Sequence, residues 1–282
     1  MRLLLALTLV AALVPQDRAL PDYDTFAAQV KMRLATDEER QSGYMFLERR
    51  VEQKLDGSGR IKDEGVKVFE VYPGLPGDDR YRRLVEENGK PLPADKLAKQ
   101  DREREQDVQA YSRMLSSGTQ VRKVKEELEK ERREYAAAVD DVFRIYEIRM
   151  VRREAVDGHD TIFATLTPKP DARPQTDDGK VMRHFKARAW ISESDYELVR
   201  VEIEAIDDLS FGLGLLARVH KGTVATYERR KVDESWLPKQ VTWTASARVF
   251  LVRRLRLRGV SEFSDYRKFT VDTSTTYTPP PP

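Results

Sequence analysis

The chain alternates, and the places where it stops alternating are too tight for anything but antiparallel pairing. Stretches such as "YMFLERRVEQKL" (44–55), "ARAWIS" (187–192) and "VTWTASARV" (241–249) set apolar and polar side chains in turn, the period of a strand with one dry and one wet face. The runs are punctuated by Gly57-Ser58-Gly59, Asn88-Gly89, Asp157-Gly158, the segment Ser192–Asp195 and "DESW" (233–236), all tight-turn signals. A two-residue turn joins antiparallel neighbours only, because a parallel crossover needs a dozen residues or more. The expected fold class is therefore α+β: about 9–11 antiparallel strands in one large curved sheet, with helices on one side and no alternating βαβ units.

Two regions break the pattern. Residues 22–40 carry Phe26, Val30 and Leu34 at four-residue spacing, a short amphipathic helix. Residues 94–143 are dominated by Lys, Arg, Glu, Gln and Ala, and read as a charged helical insertion of two helices broken at "SSGT" (116–119). Val121, Val124, Leu128, Tyr135, Val139 and Val142 trace the apolar stripe of the second helix. Such a charge run is ordinarily a solvated helix face; the other reading is a contact surface.

At the start, Arg2 precedes an apolar run from Leu3 to Val14 interrupted only by Thr8 and closed by Pro15. A secretory signal peptide is expected over 1–16, with export to the periplasm. The apolar stretch is too short to span a bilayer, and no later segment is free of charge for long enough. Residues 22–272 are expected to form a single domain, followed by a disordered Pro-rich tail over 273–282. With no cysteine, neither disulfides nor a lipid anchor on Cys is available. The 50 basic and 48 acidic residues leave a formal charge of +2, so no global field favours nucleic acid.

"DLSFGLGLLA" (208–217) matches the dinucleotide fingerprint G-x-G-x-x-A at Gly212, Gly214 and Ala217. That motif needs a helix after it, whose N-terminus meets the pyrophosphate. Here "ARVHKGTVATYERRKV" follows, a strand by its β-branched residues, and Asp207 and Asp208 precede it. The match carries no nucleotide chemistry. It leaves an apolar loop, Phe211, Leu213, Leu215 and Leu216, either tucked under the sheet or exposed as a contact lip.

No other catalytic pattern stands out. His159, His184 and His220 lie on separate strands or turns without ligand spacing, so no metal site and no cofactor is expected. G-x-S-x-G, P-loop and H-E-x-x-H motifs are lacking, and the carboxylates do not resolve into an acid/base pair. The chain reads as a binding protein rather than an enzyme, with a hydrolase using scattered carboxylates as the weaker alternative.

A cavity is the better candidate. One face of the strand after "DESW" offers Val241, Trp243, Ala245, Ala247 and Val249; neighbouring strands offer Ala189 and Ile191, then Val201 and Ile203. Met45, Leu47 and Val51 of the first strand are expected to join this lining. Small inward residues on a broad sheet leave a hollow suited to an acyl chain; the alternative is that helix side chains fill the space to native density. In "RRLRLR" (253–258), Leu255 and Leu257 point inward, and Arg254, Arg256 and Arg258 form either a solvated face or an attractor of anionic headgroups.

The segments "VDGHDTIFATLTPKP" (156–170), "ARAWISESDYELVRVE" (187–202), "WLPKQVTW" (236–243) and "FSDYRKF" (263–269) resemble the LolA/LolB-like superfamily of outer-membrane lipoprotein carriers, over residues 42–270. The resemblance implies a half-barrel whose concave apolar face, covered by helices, holds lipid or lipoprotein acyl chains. It also implies a soluble periplasmic carrier or chaperone, or a sensor module of the same fold that engages an inner- or outer-membrane protein. The charged insertion is larger than such carriers have, and no lipid-gating residue aligns.

Overall fold

The computed structural model describes residues 18–75, 79–116, 118–211, 217–249 and 253–269. The expected signal peptide, the Pro-rich tail, and Leu213, Leu215 and Leu216 lie outside the described residues. So do the side chains of Phe211, Ala247 and Val249.

Helices α1 (Tyr23–Ala35) and α2 (Asp37–Ser42) come first. Asp22 caps α1, its carboxylate accepting from the Thr25 amide at 3.0 Å. Strands β1 (Tyr44–Leu55), β2 (Ile61–Tyr72), β3 (Tyr81–Glu87) and the two-residue β4 (Lys90–Pro91) follow as a meander. Helices α3 (Ala94–Leu115) and α4 (Gly118–Ile145) form the insertion. The chain then runs through β5 (Tyr146–Val156), β6 (His159–Pro168), α5 (Asp177–Met182), β7 (Phe185–Ser192), β8 (Leu198–Ala205), β9 (Leu209–Phe211), β10 (Ala217–Val219), β11 (Val224–Val232), β12 (Ser235–Val249) and β13 (Arg253–Lys268).

All pairings are antiparallel, in the order β4-β3-β2-β1-β13-β12-β11-β8-β7-β6-β5, with β9 and β10 as an offshoot beside β12. The sheet is open, since its edges β4 and β5 do not pair. The chain enters in the middle at β1, walks out to the β4 edge, crosses to the opposite edge, and meanders back until β13 closes against β1. The charged insertion is that crossing: α3 leaves from β4 and α4 delivers the chain to β5.

The turns are where the sequence places them. Asn88-Gly89 and Asp157-Gly158 both have two positive φ angles (51° and 75°, 49° and 80°), the left-handed pair of a type I′ hairpin. The strand read over 217–232 is interrupted instead: His220–Thr223 separate β10 from β11, just as 206–208 separate β8 from β9.

One core lies between α1 and the β5–β7 end of the sheet. Phe26 and Val30 of α1 meet Ile162 and Ala164 of β6 and Ala189 and Ile191 of β7, with Phe143, Ile148, Met150, Leu166 and Leu198 packed around them. The helix-bearing face is thus dry at this end, and less covered toward β12 and β13.

Candidate functional site

Residues directly opposite in neighbouring strands share a face of the sheet, so the register assigns each side chain. One row on the helix-bearing face runs Leu166, Ala187, Ile203, Ala225, Trp243, Gly259, Glu52, Gly65, from β6 to β2. The next runs Ala164, Ala189, Val201, Tyr227, Val241, Ser261, Arg50, Lys67. Both rows are apolar as far as β12 and turn charged from β1 onward.

The anticipated lining residues divide into three groups. Ala189 and Ile191 are on this face but buried beneath Phe26 and Val30. Val201, Ile203, Val241, Trp243 and Ala245 share the face and are half-buried, as are Ala225, Tyr227 and Leu257 beside them. Ala247 and Val249 pair with Leu255 and Arg253 in the backbone register of β12 and β13. Met45, Leu47 and Val51 are the correction. Val51 pairs Val260 and Val66, one position out of step with Arg50, Ser261 and Val241. All three therefore point to the outer face. A single residue of register exchanges the faces of a whole strand, and alternation within β1 alone cannot say which of its two faces is inward. A bulge between Glu228 and Arg229, opposite Lys239, interrupts the alternation of β12 before Val241.

The half-buried apolar strip is flanked by a buried ionic cluster. Arg229, two residues on from Tyr227, is 1% exposed. Its Nη2 donates to Asp37 Oδ1 of α2 at 2.6 Å and to the Trp236 carbonyl, and its Nη1 lies 3.5 Å from Glu197 Oε2. Arg40 of α2 reaches the other oxygen of Glu197. Burial pushes the Glu197 carboxyl above its usual range, opposed by Arg229 and Arg40. The Tyr227 phenol is pushed up to about 12, by burial first. This cluster pins α2 to β11 and β12. Further along, Glu48 sits on the same face, 2% exposed, accepting from Arg50, Arg82 and Ser261. The fourth buried carboxylate, Asp141, faces Arg144. Each buried carboxylate is thus held by an arginine, which ties it to structure.

The histidines stay apart: His184 pairs with Asp207 at 2.7 Å, His220 with Asp208 at 3.2 Å, and His159 packs on the Trp236 ring. Among the described residues no group of three or more His, Asp or Glu is placed to hold a metal. After the Gly212–Gly214 run the chain forms β10, a strand, where a dinucleotide site requires a helix. Arg256 and Arg258 are exposed on the outer face. Two shallow, solvent-open clefts lie elsewhere among the described residues, of about 300 Å³ (Arg18, Asp22, Phe26, Glu193 and Tyr196) and 420 Å³ (Arg144, Lys169 and Arg173). Neither includes the apolar strip, which is an open surface.

Sequence reasoning missed the buried ionic residues and the outer-face stack of Arg152, Phe163, Trp190 and Arg200. In that stack the guanidinium groups lie 4.4 Å and 5.1 Å from the ring centroids. Nothing in the local pattern distinguishes these arginines from the many solvated ones.

The fold and site together define an open antiparallel sheet with an apolar strip on its helix-bearing face. No protein-family model matches the chain, and no curated protein matches it. Solved structures similar to it include a domain from Vibrio parahaemolyticus described as outer membrane lipoprotein-sorting (12% identity, TM-score 0.38, covering 89% of this chain and 94% of that one). A LolA superfamily protein from Nitrosomonas europaea is similar at 10% identity and TM-score 0.30, covering 88% and 95%. The MucA/MucB complex of Pseudomonas aeruginosa follows at 8% and 0.25, covering 87% and 99%. Likeness at this level lends no weight to a function; the sheet itself matches the anticipated fold class. No helix among the described residues is long and apolar enough to cross a membrane.

Proposed function

We propose that the protein is an exported periplasmic carrier or chaperone that holds acyl chains of lipids or lipoproteins against the helix-bearing face of its sheet, without catalysis. The observation that carries this is the half-buried strip Val201, Ile203, Ala225, Tyr227, Val241, Trp243, Ala245 and Leu257, apolar but left incompletely covered. From Ala187 on β7 to Gly259 on β13 a row crosses four strand spacings, roughly 19 Å, a length suited to a fatty acyl chain laid across the strands. Burial of such a chain contributes about 25 cal/mol per Å² of apolar surface, with no charged partner required along this part of the row.

The test is solvent extraction of the protein purified from a membrane-containing host, together with uptake of a fluorescent fatty acid. Co-purifying lipid and saturable uptake are expected. Protein that repeatedly carries no lipid and takes up no probe overturns the reading.

A further inference from the structure

We infer that the tip of the α3–α4 hairpin is a docking surface for an anionic phospholipid bilayer. Among the described residues, a set of ties joins the base of the hairpin to the rest of the fold. In α3, Gln100 bonds the backbone of Leu84, Asp101 pairs with Arg83, and Arg104 stacks on Tyr81. In α4, ties to the helices beneath run from Arg132, paired with Glu39, onward to Asp140, paired with Lys31. Between these anchors no described residue is buried. Tyr111, Met114, Val124 and Leu128 are half-buried, in the positions of a seam between the two helices. At 1.5 Å per residue, the eleven residues from Glu105 to Leu115 extend the hairpin roughly 16 Å beyond Arg104.

Charge is segregated along this projection. From Val108 to Lys125 the sequence has four basic residues, Arg113, Arg122, Lys123 and Lys125, and no acidic one. The rest of the insertion, 94–107 and 126–145, has 8 basic and 12 acidic residues. The same tip exposes large apolar side chains: Val108 (39%), Leu115 (39%) and Val121 (43%). Leu115 ends α3 and Val121 lies in the first turn of α4, so the two flank the bend. Val108 is two helical turns below Leu115 on the same side.

Cations around protruding apolar side chains match a surface with anionic headgroups above hydrocarbon. The cations approach the headgroups while Leu115 and Val121 enter the interface. A soluble acidic partner would account for the cations but would leave the projecting aliphatic groups unexplained. The inference is independent of the acyl-chain strip, and the two are read by separate measurements.

The test is sedimentation of the purified full chain with vesicles of phosphatidylglycerol and phosphatidylcholine, against vesicles of phosphatidylcholine alone, at low and high salt. Binding should require phosphatidylglycerol and weaken as salt rises. Replacing Arg113, Arg122, Lys123 and Lys125 by Gln should weaken it about tenfold or more. The pair Leu115→Asp and Val121→Asp should weaken it comparably, with circular dichroism and fatty-acid uptake unchanged. Equal sedimentation with both vesicle types, or unchanged binding by the charge variant, overturns the inference. Absence of vesicle binding by the parent chain does so as well, and would leave a protein partner as the use of this tip.

Discussion

The indole of Trp243 lies directly over Gly259 of the neighbouring strand: a Cβ added at Gly259 would fall within 3.0 Å of the ring. Glycine weakens a strand interior unless something uses the space, and here the ring does. Gly259 is buried by it, while Trp243 stays half-buried, flat against the sheet in the middle of the apolar row. Gly259→Ala should lift the ring off β13 at a cost of about 1–3 kcal/mol through overpacking. Urea denaturation would measure the loss, and the near-ultraviolet dichroism of tryptophan should change with it. An unchanged midpoint would mean that the ring moves aside freely.

Trp243 is also the natural reporter of ligand. The other tryptophans, Trp190 and Trp236, are 8% and 3% exposed, and Trp190 is on the outer face, opposite Phe163. A brominated fatty acid held in the strip should therefore quench mainly the emission of Trp243. Trp243→Phe should abolish most of the quenching and retain uptake of a fluorescent fatty acid. Quenching that persists in this variant would place the ligand elsewhere.

Asp141, fully buried, organises the loop before α5. Its carboxylate accepts from the amides of Gln175 and Thr176 and from the Thr176 hydroxyl, and it pairs with Arg144. Burial raises its pKa, but these bonds outweigh burial and hold it below the usual carboxylate range. A depressed folded pKa means that the contribution is complete above the unfolded value and is lost as pH falls through the folded one. Asp141→Ala should cost about 2–4 kcal/mol at neutral pH, from the orphaned donors. Below about pH 4 the stability of the parent should fall more steeply than that of Asp141→Asn, measured as urea midpoints against pH. Parallel profiles would refute the assignment.

The Arg229–Asp37 pair should behave as a buried ion pair. Arg229→Met removes the buried cation that Asp37 and Glu197 share and leaves them only the half-exposed Arg40, at a cost of about 3–5 kcal/mol. The double variant Arg229→Met, Asp37→Leu should recover part of that loss. A double variant as unstable as the sum of the single ones would indicate that the two residues act separately.

How much of this was legible in sequence follows the range of the interactions. Asn88-Gly89 and Asp157-Gly158 specify their hairpins through backbone conformation alone, and "SSGT" marks the break between α3 and α4 at the same local level. The pairing of β1 with β13 joins residues more than 200 positions apart, and nothing near either strand announces it. Without that pairing the inward side of β1 is undetermined, which is why Met45, Leu47 and Val51 fall on the outer face while Glu48 and Arg50 turn toward the helices. Val201, Ile203, Val241, Trp243 and Ala245 could be assigned to one face because their strands follow one another in a near-continuous meander. Arg229 and Asp141 look in sequence like any other surface charge; only the helices laid over them make them interior.

The topology changes what the charged insertion is for. Because β4 and β5 are the opposite edges of one sheet, residues 94–145 are the only covalent connection between them, and the base of that connection is part of the fold: Ala138, Val139, Asp141 and Ile145 are buried. Removing 98–142 would cut away Asp141 and the α4 contacts with α1 and α5, and should leave the chain unfolded. Removing only 106–130, with a short Gly-Ser turn joining the facing helix ends, takes away exposed and seam residues alone. That shortened chain should melt within a few degrees of the parent and take up fatty acid normally, while losing attachment to anionic vesicles. Calorimetry of the two deletions side by side separates these roles: cooperative unfolding of the shorter deletion alone is expected, and a shorter deletion that fails to fold would make the tip structural.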